Sequence, residues 1–401
     1  MNTDAPVVIV GAAMGGLRTA EAARRAGYAG RLLLIGDEVH APYNRPPLSK
    51  DVLSAGVTHE AVAFPTRAEM GDVEWMLGHP VASADLEANT VTTEAGVQPF
   101  RALVIATGLR PRRLDFAEQA GRHAIRSLDD ALALRHELVP GARVTVIGSG
   151  FLGCELASTA TKLGCTVTVV TPSAEPMIRP LGELLAAQLR ERLQALGVTF
   201  ELDATVAGMA GGTQVEGVEL ADGRVIPSDV VIEAIGSDCN DAWLHGTGLD
   251  LSDGVLTDNA LRAIGPDGPR SDIYVVGDIA RFPNPMFDDV ARRVEHWNIP
   301  TDTGKRAGAV LGGWLAGDDA AASQAFAPMP SFWSNQFDIK LQAYGLPGLA
   351  DEVTILEGEL TGEVAVGYLR AGTLVGVVGV GLKAALLPYR QQISEGAAST
   401  S

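Results

Sequence analysis

The chain has 401 residues, 46 % hydrophobic and 20 % charged, a balance that suits two or three folded domains and excludes a disordered chain. Its formal net charge of −18 comes from 31 basic against 49 acidic residues, and with no Lys/Arg-rich block a basic nucleic-acid-binding face is excluded. No apolar run reaches the ~20 residues needed to span a bilayer, and Met1-Asn2-Thr3-Asp4 lacks the basic start of a signal peptide, so a cytoplasmic protein is expected. The three cysteines, Cys154, Cys165 and Cys239, form no C-x-x-C pair. That argues against an iron–sulfur cluster or a redox pair and for packing residues; no metal site is expected.

In chain order, the first predicted element is the strand Val7–Val10, a continuous apolar run typical of a parallel strand covered on both faces. It runs into Gly11-Ala12-Ala13-Met14-Gly15-Gly16, where Ala13 replaces the second glycine of G-x-G-x-x-G. A helix over Leu17–Ala26 closes at Gly27, and a strand Leu32–Ile35 ends at Gly36-Asp37-Glu38. A further strand, Leu103–Gly108, stops at Thr107-Gly108. The unit then recurs: strand Val144–Ile147, an intact loop Gly148-Ser149-Gly150-Phe151-Leu152-Gly153, helix Phe151–Leu163, and strand Val167–Val170 ending at Thr171. Val230–Ile235 closes it at Gly236, and a late strand from Ile273 ends at Gly277-Asp278, where a helix is expected to start. Glu295-His296-Trp297 is placed on the next helix. The tail reads as three antiparallel strands, Val353–Leu356, Val364–Leu369 and Leu374–Val380, a helix of roughly 383–393, and a disordered-looking Gly396–Ser401.

A dinucleotide's pyrophosphate sits on a helix N-terminus, where free N–H groups and the helix dipole favour negative charge. The first glycine makes the turn, the second lets backbone approach phosphate, and the third lets helix and strand pack closely. One added methyl at Ala13 is tolerable if φ stays negative there, and Gly15-Gly16 keeps the packing position open. Two such loops imply two dinucleotides with electrons passing between them, one a bound flavin and the other a diffusible nicotinamide.

Together with these loops, four blocks carry a resemblance that covers essentially the whole chain: Pro42-Tyr43-Asn44-Arg45-Pro46-Pro47-Leu48-Ser49-Lys50, Val276-Gly277-Asp278, Glu295-His296-Trp297 and Phe332-Trp333-Ser334-Asn335-Gln336. The chain resembles the two-dinucleotide flavoprotein reductases, most closely the oxygenase-coupled NAD(P)H-dependent ferredoxin reductases. The resemblance implies an α/β fold with two Rossmann-like, glutathione-reductase-like domains and a smaller α+β C-terminal domain. Residues 1–111 and 241–320 would form the FAD-binding domain, 112–240 the NAD-binding domain and 321–401 the third. It implies hydride transfer from NADH to FAD, then single-electron transfers to a 2Fe-2S ferredoxin serving an oxygenase or a cytochrome P450.

By the same resemblance, Gly11, Ala13, Met14, Gly15, Gly16 and Asp37 hold the ADP half of FAD, with Asp37 accepting from the ribose hydroxyls. Arg45 and Lys50 lie along the flavin and its phosphates, with Val81, Thr107, Gly108 and Arg126 as further contacts. Gly277 and Asp278 reach the ribityl chain, and Glu295, His296 and Trp297 cover the flavin ring. Gly148, Gly150, Phe151, Leu152, Gly153, Thr171 and Gly236 take the nicotinamide nucleotide. Glu155, in an apolar helix where an unpartnered carboxylate is costly, pairs with Lys50; this pair is the catalytic candidate. Thr171 stands where a carboxylate usually selects NADH, and Glu175 still disfavours a 2′-phosphate, so NADH is preferred and NADPH is the alternative. A disulfide reductase would need a cysteine in Pro42–Lys50, which has none. A flavin-dependent NADH oxidase and a redox-controlled protein-binding flavoprotein stay open, as does the oligomeric state. Arg292, Arg293, Lys305 and Arg306 form a candidate docking patch, and Cys239 has no functional reading.

Overall fold

The computed structural model describes residues 4–65 and 67–399; the opening Met1–Thr3 and the expected disorder at Thr400 and Ser401 lie outside them. Val7–Val10 is wholly apolar because it is an inner strand, parallel to Leu32–Ile35 on one side and to Ala102–Ile105 on the other. The six-stranded sheet built on it runs Arg262–Gly265, Gly268–Val275, Ala102–Ile105, Val7–Val10, Leu32–Ile35, Glu74–Met76. A second sheet repeats the plan around Arg143–Ile147, in the order Thr199–Glu201, Thr166–Val170, Arg143–Ile147, Val230–Glu233, Arg122–His123. Between them the chain passes through a two-stranded antiparallel ladder of Leu109–Pro111 and Ser237–Cys239.

The two glycine loops share one local reason. Gly11 has φ +113° and a Cβ there would stand 2.1 Å from the Ala106 carbonyl oxygen; Gly148 has φ +101° and would meet Ala234 O at 2.3 Å. Only glycine satisfies both the backbone and the close approach. The helices that follow, Met14–Arg25 and Phe151–Lys162, each begin directly behind the loop. The first starts three residues before the expected Leu17, because Gly15 and Gly16 carry no helix-forming signal of their own. Helix Ile299–Ala316 lies against Met14–Arg25 through Gly304, Gly308 and Gly312, three positions on one face, where a Cβ at Gly308 would stand 2.4 Å from Thr19 O.

Several expectations are corrected. Gly277–Ile279 is a single 3-10 turn that continues into the strand Ala280–Asn284, held by pairing with Val255–Leu256 and Asp288–Arg292, so no α-helix begins at Asp278. Glu295, His296 and Trp297 sit in the connection before the helix Ile299–Ala316, whose start is set by Pro300 in its first turn. The C-terminal sheet has five antiparallel strands rather than three, in the order Ser331–Gln336, Ile339–Gly345, Thr373–Val380, Val364–Arg370, Glu352–Gly358. Ser331–Gln336 escapes pattern reading because its inward positions are Phe332, Ser334 and Gln336, two of them polar. The closing helix covers Leu386–Ser399, so Gly396 to Ser399 are helical.

One hydrophobic core surrounds the first sheet. Another joins the second sheet to the C-terminal sheet and, with them, to Tyr43, Leu48, Val52 and Leu53. The Pro42–Lys50 segment therefore leaves the first sheet and packs on the second, which brings Lys50 to the helix carrying Glu155. No helix among the described residues is long and apolar enough to cross a membrane.

The glycine contact between the two helices has a measurable consequence. Gly308→Ala is expected to lower unfolding free energy by about 1–3 kcal/mol through overpacking against Thr19. Gly212→Ala, whose Cβ would meet nothing within 4 Å, is expected to stay within about 0.5 kcal/mol. Denaturant melts of the two variants check this; equal losses would contradict the packing account.

Candidate active site

Two adjoining cavities of about 340 and 350 Å³ form one cleft, since Ala13, Tyr43, Arg45 and Ala106 line both. The first extends past Gly11, Thr107 and Val81 to Asp37. Asp37 is exposed there, and its carboxylate takes the Glu38 N–H at 3.0 Å. Thr107 donates its hydroxyl to Asn240 O at 2.7 Å. Ala13 has φ −104°, ψ −158°, ordinary extended backbone, so its methyl adds no strain to the loop. Glu38, adjacent to Asp37, accepts from both the Tyr43 hydroxyl and the Arg45 guanidinium, and Arg45 also donates to the Arg126 carbonyl. Arg45 is thus held at the junction of the two cavities.

The second cavity is walled on one side by Met14, Gly15, Gly108 and Arg126, and on another by Phe151, Leu152 and Glu155. Gly277, Asp278 and the Glu295–Trp297 connection form a third side. Burial pushes the Asp278 carboxyl up, while Arg126, 3.7 Å away, pulls it back. Burial also lowers the His296 imidazole to about 4, so it is neutral at physiological pH. The C-terminal sheet closes the cavity. Phe332 packs against Phe151 and His296 at centroid distances of 4.7 and 5.1 Å, and Trp333 meets Trp297 edge-on at 5.0 Å. Trp297 is 40 % exposed and donates its indole N–H to Asn44 at 3.1 Å, which makes it a rim residue rather than a core aromatic.

At the centre is Glu155, 7 % exposed. Its Oε2 accepts from Lys50 Nζ and, at 2.7 Å, from Ser49 Oγ. Its Oε1 accepts from Ser334 Oγ at 2.8 Å and from the Asn335 N–H at 3.3 Å. Lys50 further donates to Pro46 O at 3.3 Å. One carboxylate therefore ties together the Pro42–Lys50 segment, the second-loop helix and the first strand of the C-terminal sheet. That Glu155 needs a partner was legible from its apolar helix, and its pairing with Lys50 was implied by the resemblance. Ser49 and Ser334 were quoted in motifs but given no task, because nothing local to either serine points across 106 or 179 positions of chain.

Gly16, Gly148, Gly150, Gly153, Thr171 and Gly236 lie outside both cavities. Gly16 and Gly153 are packing glycines, each with a would-be Cβ 2.1 Å from the carbonyl oxygen of its loop's first glycine. A Cβ at Gly150 would touch nothing within 4 Å, so its backbone faces open space. Thr171 is buried, its hydroxyl oxygen accepting from Ser149 Oγ at 2.9 Å and from the Ser173 N–H at 3.3 Å. Glu175 is bound by Arg190 at 2.7 Å, so its charge is countered and gives a weaker barrier to a 2′-phosphate than the sequence suggests. The suggested docking patch is likewise engaged: Arg292 pairs with Asp288, Arg293 with Asp253 and Glu295, and Arg306 donates to the Ala321, Ala322 and Gln324 carbonyls. Lys305 alone of the four is exposed without such a bond among the described residues.

The residues present fit a bound dinucleotide. A continuous cleft runs from an exposed carboxylate, past a helix N-terminus and the cations Arg45, Arg110, Arg126 and Lys50, to an aromatic-lined end. They do not fit disulfide chemistry, because none of the three cysteines lines either cavity and burial pushes the Cys154 thiol up to about 12. No group of His, Cys, Asp and Glu that could hold a metal occurs among the described residues.

Comparison with known proteins gives a consistent picture. The family described as pyridine nucleotide-disulphide oxidoreductase matches residues 5–304, and a reductase C-terminal family matches 331–401. The anthranilate 1,2-dioxygenase system ferredoxin–NAD(+) reductase component of Burkholderia cepacia is 35 % identical over 90 % of this chain and 86 % of its own length. The biphenyl dioxygenase system ferredoxin–NAD(+) reductase component of Paraburkholderia xenovorans is 37 % identical over 69 % of this chain and 68 % of its own. Among solved structures, the covalent putidaredoxin reductase–putidaredoxin complex superposes with a TM-score of 0.89 at 28 % identity, covering 98 % of this chain and 94 % of that one.

His296 gives a pH test of the burial described above. Its folded value of about 4 lies below the ordinary imidazole value of 6.5, so the unfolded chain takes up a proton first as pH falls. Stability is thereby lost between pH 6.5 and about 4. His296→Gln is expected to flatten the decline of Tm across that window; parallel declines for the two proteins would contradict the assignment.

Proposed function

We propose, for a chain that belongs to the pyridine nucleotide-disulphide oxidoreductase family, an FAD-dependent ferredoxin–NAD(+) reductase that supplies electrons to an oxygenase or cytochrome P450 system. When bound, FAD would supply the conversion between a two-electron hydride from NADH and single electrons for a 2Fe-2S ferredoxin. The observation that carries this reading is the continuous cleft from the first glycine loop to the helix of the second. It supports a division into an FAD-binding domain (1–111 and 241–320), an NAD-binding domain (112–240) and a C-terminal domain (321–401), and the cytoplasm is the proposed location.

The residues then take the following parts. Ala13, Met14 and Gly15 present backbone N–H groups to the pyrophosphate, Gly11 and Gly16 shape the turn that holds them there, and Asp37 accepts from the ribose hydroxyls. Arg45 and Arg126 counter phosphate charge, while Val81, Thr107 and Gly108 shape the wall. Gly277 and Asp278 face the ribityl chain. Glu295, His296 and Trp297 exclude water from above, with neutral His296 adding no charge to the site. The loop Gly148, Gly150, Phe151, Leu152 and Gly153, with Thr171 and Gly236, receives NADH. Open space at Gly150 is where phosphate can approach backbone. Lys50, held by Glu155, is fixed where the two rings would meet and orients them for hydride transfer.

The test is anaerobic. Purified protein is expected to be yellow and to bleach on addition of NADH, more slowly with NADPH; a protein that stays colourless after incubation with FAD would overturn the reading. In stopped flow, Glu155→Ala is expected to bleach at least about ten-fold more slowly with FAD retained, as loss of a charged hydrogen-bond network at a reacting centre predicts. An unchanged rate would remove the Lys50–Glu155 pair from the mechanism.

A further inference from the structure

Glu155 has two serine donors, and they differ in origin. Ser49 adjoins Lys50 in the same segment, so any motion of that segment carries both. Ser334 comes from the C-terminal sheet, is fully buried, and reaches the opposite carboxylate oxygen at 2.8 Å. Its orientation is set from behind. The Ser334 oxygen accepts from Gln336 Nε2 at 3.2 Å, which leaves its single hydrogen for Glu155. Gln336 is itself fully buried, and the same amide nitrogen contacts Met177 Sδ at 3.1 Å. Met177 in turn donates its backbone N–H to Ser149 O at 2.9 Å, inside the second glycine loop. A polar chain thus runs Ser149–Met177–Gln336–Ser334–Glu155–Lys50, from the second nucleotide loop to the paired lysine.

We propose that Ser334 is a positioning residue for hydride transfer: by holding Glu155 Oε1, it fixes the carboxylate whose Oε2 holds Lys50, and makes the C-terminal sheet part of the nicotinamide-to-flavin step. The geometry favours this over simple core filling. A buried strand position facing a hydrophobic core is ordinarily apolar, yet Ser334 and Gln336 put hydroxyl and amide there, each bonded toward Glu155 or the second loop. An apolar residue of similar size would fill the space and leave one carboxylate lobe short of a donor. The inference rests on the reductase reading above, and concerns only how Lys50 is held, not which groups react.

The experiment uses the holoenzyme and four proteins: wild type, Ser334→Ala, Glu155→Ala and the double variant. Wild type bleaching with NADH first establishes the reductase reading; if it does not bleach, that reading fails before Ser334 is at issue. Given bleaching, Ser334→Ala is expected to retain FAD and to bleach about ten-fold more slowly at saturating NADH. Oxidation of its dithionite-reduced form by ferricyanide should be unchanged, because that step does not use the hydride geometry. In the Glu155→Ala background the serine change is expected to add nothing, the signature of action through the carboxylate. Should Ser334→Ala lose FAD or fold poorly, Ser334→Thr, which keeps the hydroxyl, is expected to bleach within about three-fold of wild type, since the hydrogen bond is preserved. A Ser334→Ala enzyme that bleaches at the wild-type rate, an undiminished serine effect in the Glu155→Ala background, or a folded Ser334→Thr that is as slow as Glu155→Ala would each overturn the proposal.

Discussion

A carboxylate withdrawn from water must be met by donors, and the donors that meet Glu155 decide how this molecule is assembled. They come from two segments far from it in sequence, Ser49 with Lys50 and Ser334 with the Asn335 N–H, which with the helix carrying Glu155 makes three. None of the three segments can shift alone without leaving the charge short of a partner. The apolar packing follows the same lines, since Leu48, Phe332 and the interior of the second sheet share one core. Burial supplies the bulk of the free energy here and gives no direction; the hydrogen bonds to Glu155 supply the register.

The two glycine loops show the opposite economy, one local solution used twice. At Gly11 and Gly148 the demand comes from the protein itself, a carbonyl oxygen of a neighbouring strand end pressing on the turn. At the second position the demand comes from outside, since a Cβ at Gly150 would touch no atom of the protein. That distinction explains why Ala13 is tolerated in the first loop: its backbone is extended, and what a methyl intrudes upon there is ligand space. A tightly resident cofactor and a coenzyme that must enter and leave place different demands on that space.

Much of this was legible in the residues. Continuous apolar runs such as Val7–Val10 and Val144–Ile147 announce inner parallel strands, and glycine patterns place the helix starts to within a few positions. An acid in an apolar helix announces that Glu155 needs a partner, and the family resemblance, not the local pattern, pointed to Lys50. What escaped was whatever polarity disguises. Ser331–Gln336 is a strand with two polar residues among the three on its buried face, so alternation does not reveal it, and Ser334's bond to Glu155 went unread with it. Gly277-Asp278 gave a helix-start signal that strand pairing overrode, and Glu175 read as a free charge until Arg190 was found on it.

On the proposed reading, Glu155 and Lys50 stand where the two nucleotides meet. The most direct test is a crystal structure of the FAD-loaded enzyme soaked with NAD(+). Electron density for the nicotinamide is expected against Phe151, beside Lys50 and Glu155, with the flavin ring on its other face. Nicotinamide density away from these residues, with the flavin in its cleft, would contradict it.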